Sequence, residues 1–514
     1  MMTSFNLNTR PSPLPPLPVG EGFSPSPSGR RVGMRENCAS SVGWARFQCP
    51  RGNVILFALF LLISACATTD KPKLADTDVP GNWQGPVESS AAEWPDKTWW
   101  DNFKDPELTA LVSQIQEHNL DLASNRRNLI AAQLTLKEAG FNLWPTPSVT
   151  AGIGTGYTET RFNGLTTSSG PDSPSRIGLS LSYNNILSKP AEYDRAVAEY
   201  DSRVAQLSDL ALNILGTASS TYFQILLTRD KIAAARQNVA NAETIGAIAQ
   251  SRVDSGVAVP IEALQQRIAI QRERSNLSGL TQNDLAARAS LALLLGRGVQ
   301  GFDIEGQTLA DLEVPVVRPG LPSELLIRRP DLVQAEANLR GATASVDLAR
   351  LAFLPQISLT GGVNASSTSL LDIVASPTSV FSISADLVQT LLDNGRRTRN
   401  LEQTRLTLEN NLANYRKAVL NAFNDIEVQL SNIRLLGEQG QVAFDNLGAA
   451  EEAFRIAQAR YREGVIDYQS VLNAQNTLFT TRNSYLDIKL QRLNAMVGFY
   501  QALGGGWQTG AELP

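Results

Sequence analysis

Histidine is almost missing from this chain of 514 residues; His118 is the only one. Imidazole supplies many general bases near neutral pH and many zinc and copper ligands, so a chain with one histidine is poorly equipped for either chemistry. His118 sits in an ordinary helical pattern with no catalytic or metal-binding partners nearby in sequence. Cysteine is nearly as scarce, at positions 38, 49 and 66, too few for a disulfide framework. Basic charge is not in excess: 45 Lys and Arg stand against 50 Asp and Glu, a net charge of −5, which argues against nucleic acid as a partner. The one long apolar run, Val54 to Ile63, is too short to span a bilayer as a helix. No nucleophile and base pairing, phosphate loop or metal cluster is visible, so no cofactor is expected and the chain reads as a conduit rather than an enzyme.

What the chain does have is period. Counting from Tyr193 in alternating steps of four and three through Val197, Tyr200 and Val204 to Ala249 and Val253, fifteen of eighteen positions are apolar. A seam of period 3.5 kept up over so many heptads predicts a coiled-coil helix, roughly 90 Å long at 1.5 Å per residue. The same seam recurs 208 residues later, from Leu401 through Leu408 and Tyr415 to Tyr461, again apolar at fifteen of eighteen. The turns recur with it. Arg252-Val253-Asp254-Ser255-Gly256-Val257 answers Arg460-Tyr461-Arg462-Glu463-Gly464-Val465, and Leu264 answers Leu472. Register, glycine and turn agreeing together make the chain one unit duplicated.

The ends of the chain differ from this body. Pro11 to Ser28 is a Pro/Gly/Ser tract, and Met34 opens a stretch with Arg35, Arg46 and Arg51 ahead of the apolar run, which has the form of an export signal. On this reading the signal is about 34–65, and residues 1–33 are either a leader tract ahead of it or a stretch preceding the true start. The run ends in Ile63-Ser64-Ala65-Cys66, which resembles a bacterial lipobox, where the cysteine is lipidated and becomes the mature N-terminus. Cys66 is the only cysteine that an exported chain would keep, as a lipid-attachment site requires. Ala67 follows it, where an aspartate would favour inner-membrane retention, so outer-membrane sorting is expected. Residues 66–104 read as an extended, surface-lying segment anchored by Trp83, Trp94, Trp99 and Trp100. Helix is predicted from Asp105-Pro106-Glu107, with Asp105 as N-cap, through to Leu143, where Trp144-Pro145-Thr146-Pro147 stops it.

Past that stop the period changes to 2. Val149, Ala151, Ile153 and Tyr157 alternate with small or polar residues, and after a Gly/Ser/Pro loop Ile177, Leu179, Leu181 and Tyr183 do the same. The second half repeats this hairpin with Ile357, Leu359 and Val363, then Phe381, Ile383, Ala385 and Leu387. Strands that are apolar on one face and small or polar on the other suit a transmembrane β-barrel, with lipid outside and water inside. Four strands cannot close one, so the chain must oligomerise, two copies giving eight strands and three giving twelve. Twelve leaves more room for a lumen.

Three stretches then carry a resemblance. Trp99-Trp100-Asp101-Asn102-Phe103-Lys104-Asp105-Pro106-Glu107-Leu108 with Asn119-Leu120-Asp121-Leu122 is one, and Leu321-Pro322-Ser323-Glu324-Leu325-Leu326-Ile327-Arg328-Arg329-Pro330-Asp331-Leu332 running on to Phe353-Leu354-Pro355-Gln356-Ile357 is another. With the ending Ala502-Leu503-Gly504-Gly505-Gly506-Trp507, they resemble the TolC-like outer-membrane efflux family, in its lipoprotein branch, over Cys66 to Trp507. That resemblance implies a homotrimer: a twelve-stranded barrel in the outer membrane above a long periplasmic α-helical barrel and a mixed equatorial belt. It also implies that Gly256-Val257 and Gly464-Val465 are tips that meet a periplasmic adaptor, which joins the channel to an inner-membrane pump. Family members often ring the closed periplasmic entrance with aspartates on the return helix after the second tip. Here Ser470 and Asn473 hold those positions, and Asp467 is the nearest carboxylate. The first strand-to-helix turn, Leu187-Ser188-Lys189-Pro190-Ala191, also lacks the family's glycine and arginine, which Asp393-Asn394-Gly395-Arg396-Arg397 keeps.

The fold expected is therefore mainly α with a membrane β-barrel, built from a duplicated coiled-coil unit that adds four strands per chain. A leader (1–65) and a lipid-anchored segment (66–104) precede a first repeat at 105–320, with hairpin 148–184 and tip 254–260. A second repeat follows at 321–504, with hairpin 356–388 and tip 462–468, and 505–514 form a tail. Arg328-Arg329-Pro330-Asp331 reads as a helix start, and Glu451-Glu452 and Arg396-Arg397 read as solvated faces. Three functions fit: the outer-membrane channel of a resistance-nodulation-division type tripartite pump, the same channel serving type I protein secretion, or a trimeric coiled-coil lipoprotein without a lumen. The polar inner faces of all four strands favour the first two, and the lipobox favours the first over the second.

Overall fold

The computed structural model describes residues 96–162, 165–172, 175–257, 259–306, 308–315, 328–367, 373, 377–463 and 465–506. Cys66, Gly464, Trp83 and Trp94 lie outside the described residues.

The described chain opens with a 3₁₀ turn, Trp99–Phe103, whose Trp99, Trp100 and Phe103 are buried. Trp99 stacks on Tyr500 with centroids 5.2 Å apart, and Phe103 meets Phe223 at 5.1 Å, so the segment is riveted to the helical core by aromatic contacts. Helix α1, Pro106–His118, follows with the predicted cap, Asp105 accepting from the backbone of Glu107 and Leu108. The helix predicted to run unbroken to Leu143 is instead two. Asn119 is extended (φ −64°, ψ 127°) and its side chain accepts from Asp121 N and Leu122 N, so α2, Leu120–Phe141, starts afresh. An asparagine in a helical run competes for backbone partners, and here the cap wins.

The two long helices form where the seam places them: α3 is Lys189–Asp254, and α6 is Arg396–Arg462. Every one of the eighteen seam positions in α3 is buried or half-buried, and in α6 every one except Arg405. At 66 and 67 residues each helix is about 100 Å long. Helix α4, Pro260–Leu294, runs back along α3, and α7, Tyr468–Ala502, runs back along α6. Helix α5, Pro330–Leu351, matches α2 in length at 22 residues, as α7 matches α4 at 35. The duplication reaches individual contacts. Arg274 pairs with Glu243 at 2.6 Å, and 208 residues on Arg482 pairs with Glu451 at 2.7 Å.

The strands are β1, Thr146–Ile153; β2, Gly156–Phe162; β3, Leu165–Asp172; β4, Ser175–Tyr183; β5, Gln356–Ser367; and β6, Thr378–Val388. Four of them form one antiparallel sheet in the order β1-β4-β5-β6, while β2 and β3 pair separately. The expected Gly/Ser/Pro loop is thus largely a second hairpin, its strands hidden in sequence because glycine, serine and threonine give no apolar alternation.

In each layer the chain forms a ribbon four elements wide. The order is β1-β4-β5-β6 in the sheet, α2-α3-α5-α6 in the helices next to it, and α4-α3-α7-α6 toward the helical turns. One edge of every layer comes from the first repeat and the other from the end of the second.

Candidate functional site: strands, tips and entrance

Opposed residues of an antiparallel sheet share a face, so the register sorts the strand side chains into two sets. Val149, Leu179, Val363 and Phe381 are aligned across the four strands, as are Ala151, Ile177 and Ala365. Most of these large apolar side chains are exposed. On the other face Ser148, Ser180, Gly362 and Ser382 are aligned, with Ser182, Thr360 and Ser384 beside them, and the hydroxyls of Ser148 and Ser180 lie 2.7 Å apart. An exposed apolar face opposite a hydroxyl-lined one has the polarity of a wall between lipid and water.

At the first tip the chain reverses through Gly256, which has φ +73°. Val257 N donates to Arg252 O at 2.9 Å and Gly256 N to Val253 O at 3.0 Å, so the glycine closes α3 in the left-handed form that costs it no Cβ clash. Val257, Val259 and Ile261 stand exposed around the turn. The second tip repeats the closing bond, Val465 N to Arg460 O at 2.9 Å, and Val465 is exposed as well. Arg252 Nη1 donates to the Tyr461 hydroxyl at 3.3 Å, linking the lower ends of α3 and α6.

The three entrance candidates lie at the start of α7, Asp467 and Ser470 at its cap and first turn and Asn473 on its second. Asp467 is its N-cap, with Oδ1 accepting from Ser470 N at 2.9 Å and from the Ser470 hydroxyl at 2.5 Å. That hydroxyl, then the backbone N–H, lowers the Asp467 pKa below the usual carboxylate range. Asn473 is exposed and accepts from Gln469 Nε2 at 3.1 Å. Val471 is buried in a cluster with Ile245 of α3, where it fixes α7 to its neighbour.

The turns at the sheet explain two other sequence features. Gly395 (φ +74°) and Asn394 (φ +54°) make the reversal into α6, and Asp393 accepts from Arg397 N at 3.0 Å and Nε at 2.7 Å. Arg397 is therefore not part of a solvated face: it also donates to the carbonyls of Thr390 and Ala352, locking the strand end to the helix start. In the first repeat a 3₁₀ turn, Ile186–Ser188, does this work, with the Ser188 hydroxyl donating to Glu192 at 2.6 Å.

Sequence reasoning missed a partly buried polar knot where the N-terminal segment meets the helices. The Tyr222 hydroxyl donates to Asp105 at 2.7 Å and to Glu107 at 3.0 Å, while Glu107 accepts from the backbone of Glu305 and Gly306. Burial, and then the Asp105 carboxylate, hold the Tyr222 phenol well above its ordinary range. The signal available was Asp105 itself, which was read as a helix cap alone. Among the described residues no group of three or more His, Cys, Asp or Glu is placed to hold a metal ion.

Known proteins share this arrangement. The family model described as Outer membrane efflux protein matches residues 111–297 and 321–505. The pyoverdine export outer membrane protein OpmQ of Pseudomonas aeruginosa is 30% identical over 89% of this chain and 97% of its own. The probable outer membrane lipoprotein SilC of Salmonella typhimurium is 27% identical, over 80% of this chain and 88% of its own. In fold, the chain is similar to the crystal structure of the Campylobacter jejuni CmeC outer membrane channel, with a TM-score of 0.75 and 21% identity over 83% of this chain and 92% of that one. The duplicated helices, the two-faced sheet and a match spanning both repeats place this chain in the outer membrane efflux protein family.

Proposed function

We propose that the chain is the outer-membrane channel of a tripartite efflux pump, conducting small molecules passively from a periplasmic adaptor and inner-membrane pump to the cell exterior. The observation that carries this reading is the sheet: an exposed apolar face and a hydroxyl-lined face on the same four strands. Among the described residues of the single chain, the outer edges of β1 and β6 have no strand beside them, and in lipid each unpaired backbone group costs several kcal/mol. Three copies joined edge to edge close a twelve-stranded barrel, and the helices below continue the lumen through the periplasm. OpmQ is named for pyoverdine export; a small exported metabolite or toxicant is the corresponding cargo here. Lipid on Cys66 and sorting to the outer membrane complete the reading.

The test is conductance with a transport readout. Purified protein reconstituted in a planar bilayer should give discrete single-channel steps, and deletion of the gene should raise intracellular accumulation of a pump substrate that the intact gene restores to baseline. Reconstituted trimers that carry no current would reject the conduit.

A further inference from the structure

The charge of the main sheet lies entirely on one of its faces. Across β1, β4, β5 and β6 only Arg176 and Asp386 are charged. Register puts both on the hydroxyl-lined side. Arg176 stands opposite Gly152 and Ser366, and its side chain lies across β1, where a β-carbon built at Gly152 would be 3.3 Å from Arg176 Cγ. Asp386 stands opposite Ser358, with the Ser384 hydroxyl of the same face 3.5 Å from its carboxylate. Both charged side chains are exposed.

The two residues mark opposite ends of the sheet. Arg176 is near the start of β4, which runs toward the helices and leads into α3; Asp386 is near the end of β6, just before the turn into α6. Their levels on β5 are Ser366 and Ser358, which at about 3.4 Å per residue lie about 27 Å apart. Between these levels the polar face carries Thr150, Gly178 and Asn364, then Ser148, Ser180, Gly362 and Ser382, then Ser182, Thr360 and Ser384. An uncharged wall thus separates one cation from one anion, and at that distance the two cannot pair.

Resting on the reading of the hydroxyl-lined face as the lumen of a barrel closed by three copies, we propose that Asp386 and Arg176 set the charge preference of that barrel. They form two rings of opposite sign, three carboxylates at the helix end and three guanidiniums at the far end. Rings of charged side chains are one of the ways in which a pore sorts solutes. In about 0.1 M salt a charge is felt over about 10 Å, less than the distance between the rings, so each governs its own end. Cations collect at Asp386 and are repelled at Arg176, and anions do the reverse. A solute with net charge of either sign meets one repulsive ring on its way out, whereas a neutral or zwitterionic one meets no net barrier. The barrel section therefore favours small polar solutes without net charge.

The test is ion selectivity of the full-length protein in a planar bilayer under a KCl gradient. Asp386→Asn leaves only the cationic ring, so the reversal potential should shift toward chloride; Arg176→Gln leaves only the anionic ring and should shift it toward potassium. Asp386→Glu and Arg176→Lys keep the charges and should keep the unmodified value. The current–voltage curve gives a second readout. With the helical side positive, cations gathered at Asp386 and anions gathered at Arg176 both move into the middle of the barrel and raise its conductance, and the opposite sign empties it. This asymmetry should be lost in either neutral variant, and also in about 1 M salt, where a charge reaches only about 3 Å. If the unmodified protein conducts but either neutral variant keeps its reversal potential, or both shift it in the same direction, the two-ring filter is overturned while the lumen stands. If the unmodified protein carries no current, the lumen reading fails and the rings with it.

Discussion

Arg329 donates from Nη1 to the carbonyl of Ala502 at 3.1 Å, tying the start of α5 to the last residue of α7. Asn119 does the same in the first repeat, donating from Nδ2 to the Leu294 carbonyl at 2.8 Å. The glycines beyond those helix ends, Gly296 and Gly504, have φ +71° and +87°, and a β-carbon there would fall 2.6 Å from His118 O and 2.2 Å from Arg328 O. Each repeat is thus closed by one side chain and one glycine.

The two closures differ in charge, and that sets a first prediction. Burial works against the Arg329 guanidinium, but the hydrogen bond and charge of Asp331, with Asp425 beyond, outweigh it and raise its pKa. Arg329→Met leaves Asp331 and Asp425 without their shared cation and the Ala502 carbonyl without this donor. Asp331 and Asp425 are 34% and 54% exposed, so solvent screens the carboxylates left behind and the loss is about 2 kcal/mol, whereas Asn119→Ala, the loss of a neutral cap, costs about 1 kcal/mol. Urea unfolding of both variants checks the ranking, and equal losses would show that Arg329 acts as a cap and nothing more.

The parts of this fold that were legible in the sequence are those governed by a period. A 3.5-residue seam and a two-residue alternation are imposed by what each face must touch, so α3, α6 and the four strands of the main sheet could be read from Tyr193, Leu401, Val149 and Phe381 outward. Asn119, β2 and β3, and Arg329 were not legible in the same way. Asn119 interrupts no apolar pattern; Gly156–Phe162 and Leu165–Asp172 have little apolar pattern to read. Arg329 finds its carbonyl 173 residues away, a distance over which local sequence is silent. At the entrance, the identities of Asp467, Ser470 and Asn473 were readable, whereas the bond that joins the first two depends on where α7 begins.

A second prediction concerns Tyr222. In the unfolded chain this phenol ionises near its ordinary value of 10, and in the folded chain well above it. Its contribution is therefore complete below pH 10 and falls as pH rises beyond that, because the unfolded state then gains an ionisation that the folded state resists. Tyr222→Phe should cost about 2 kcal/mol at neutral pH, through loss of a hydrogen bond to carboxylates, and should flatten the alkaline limb of the stability curve. Thermal unfolding between neutral and strongly alkaline pH measures this; parallel curves for both proteins would contradict it.

The anchor gives a third. Cys66→Ser should abolish metabolic labelling with a fatty-acid probe, while part of the protein still reaches the outer membrane, because the barrel supplies most of the membrane affinity. Labelling that persists in the variant would reject the lipobox.

A fourth addresses the tips. At Gly256 a β-carbon has open space around it, so the penalty for any other residue is the left-handed backbone alone, roughly 1 kcal/mol. Gly256→Trp should accordingly fold and be exported, yet its indole would stand among Val257, Val259 and Ile261, where the proposed function puts the adaptor contact. Substrate accumulation should rise to the level of the gene deletion with normal amounts of trimer in the membrane. Full export activity in this variant, and in Gly464→Trp, would count against docking at the tips.

The entrance candidates carry a hydroxyl and an amide where the family resemblance implies aspartates, and they give the last prediction. Three carboxylates held close on a threefold axis repel one another and attract cations, so an entrance ringed by aspartates is open to block by divalent ions. Ser470 and Asn473 offer hydrogen bonds without charge. The Ser470 hydroxyl is already engaged by Asp467, and Asp467, as the cap of α7, points its accepting oxygen at that turn's own donors. Its lowered pKa keeps it charged well below neutral pH, so this cap is lost only when pH falls through that lowered value. Single-channel current should then change little with millimolar calcium or magnesium or with mild acidification. Asn473→Asp is the cleaner gain-of-block variant, since it leaves the Asp467–Ser470 cap untouched and replaces an exposed amide. A ring of three such carboxylates should bring half-block at on the order of 1 mM divalent cation, the range of weak calcium sites. A strong block in the unmodified channel that Asp467→Asn removes would overturn the neutral entrance and make Asp467 the residue that faces the pore.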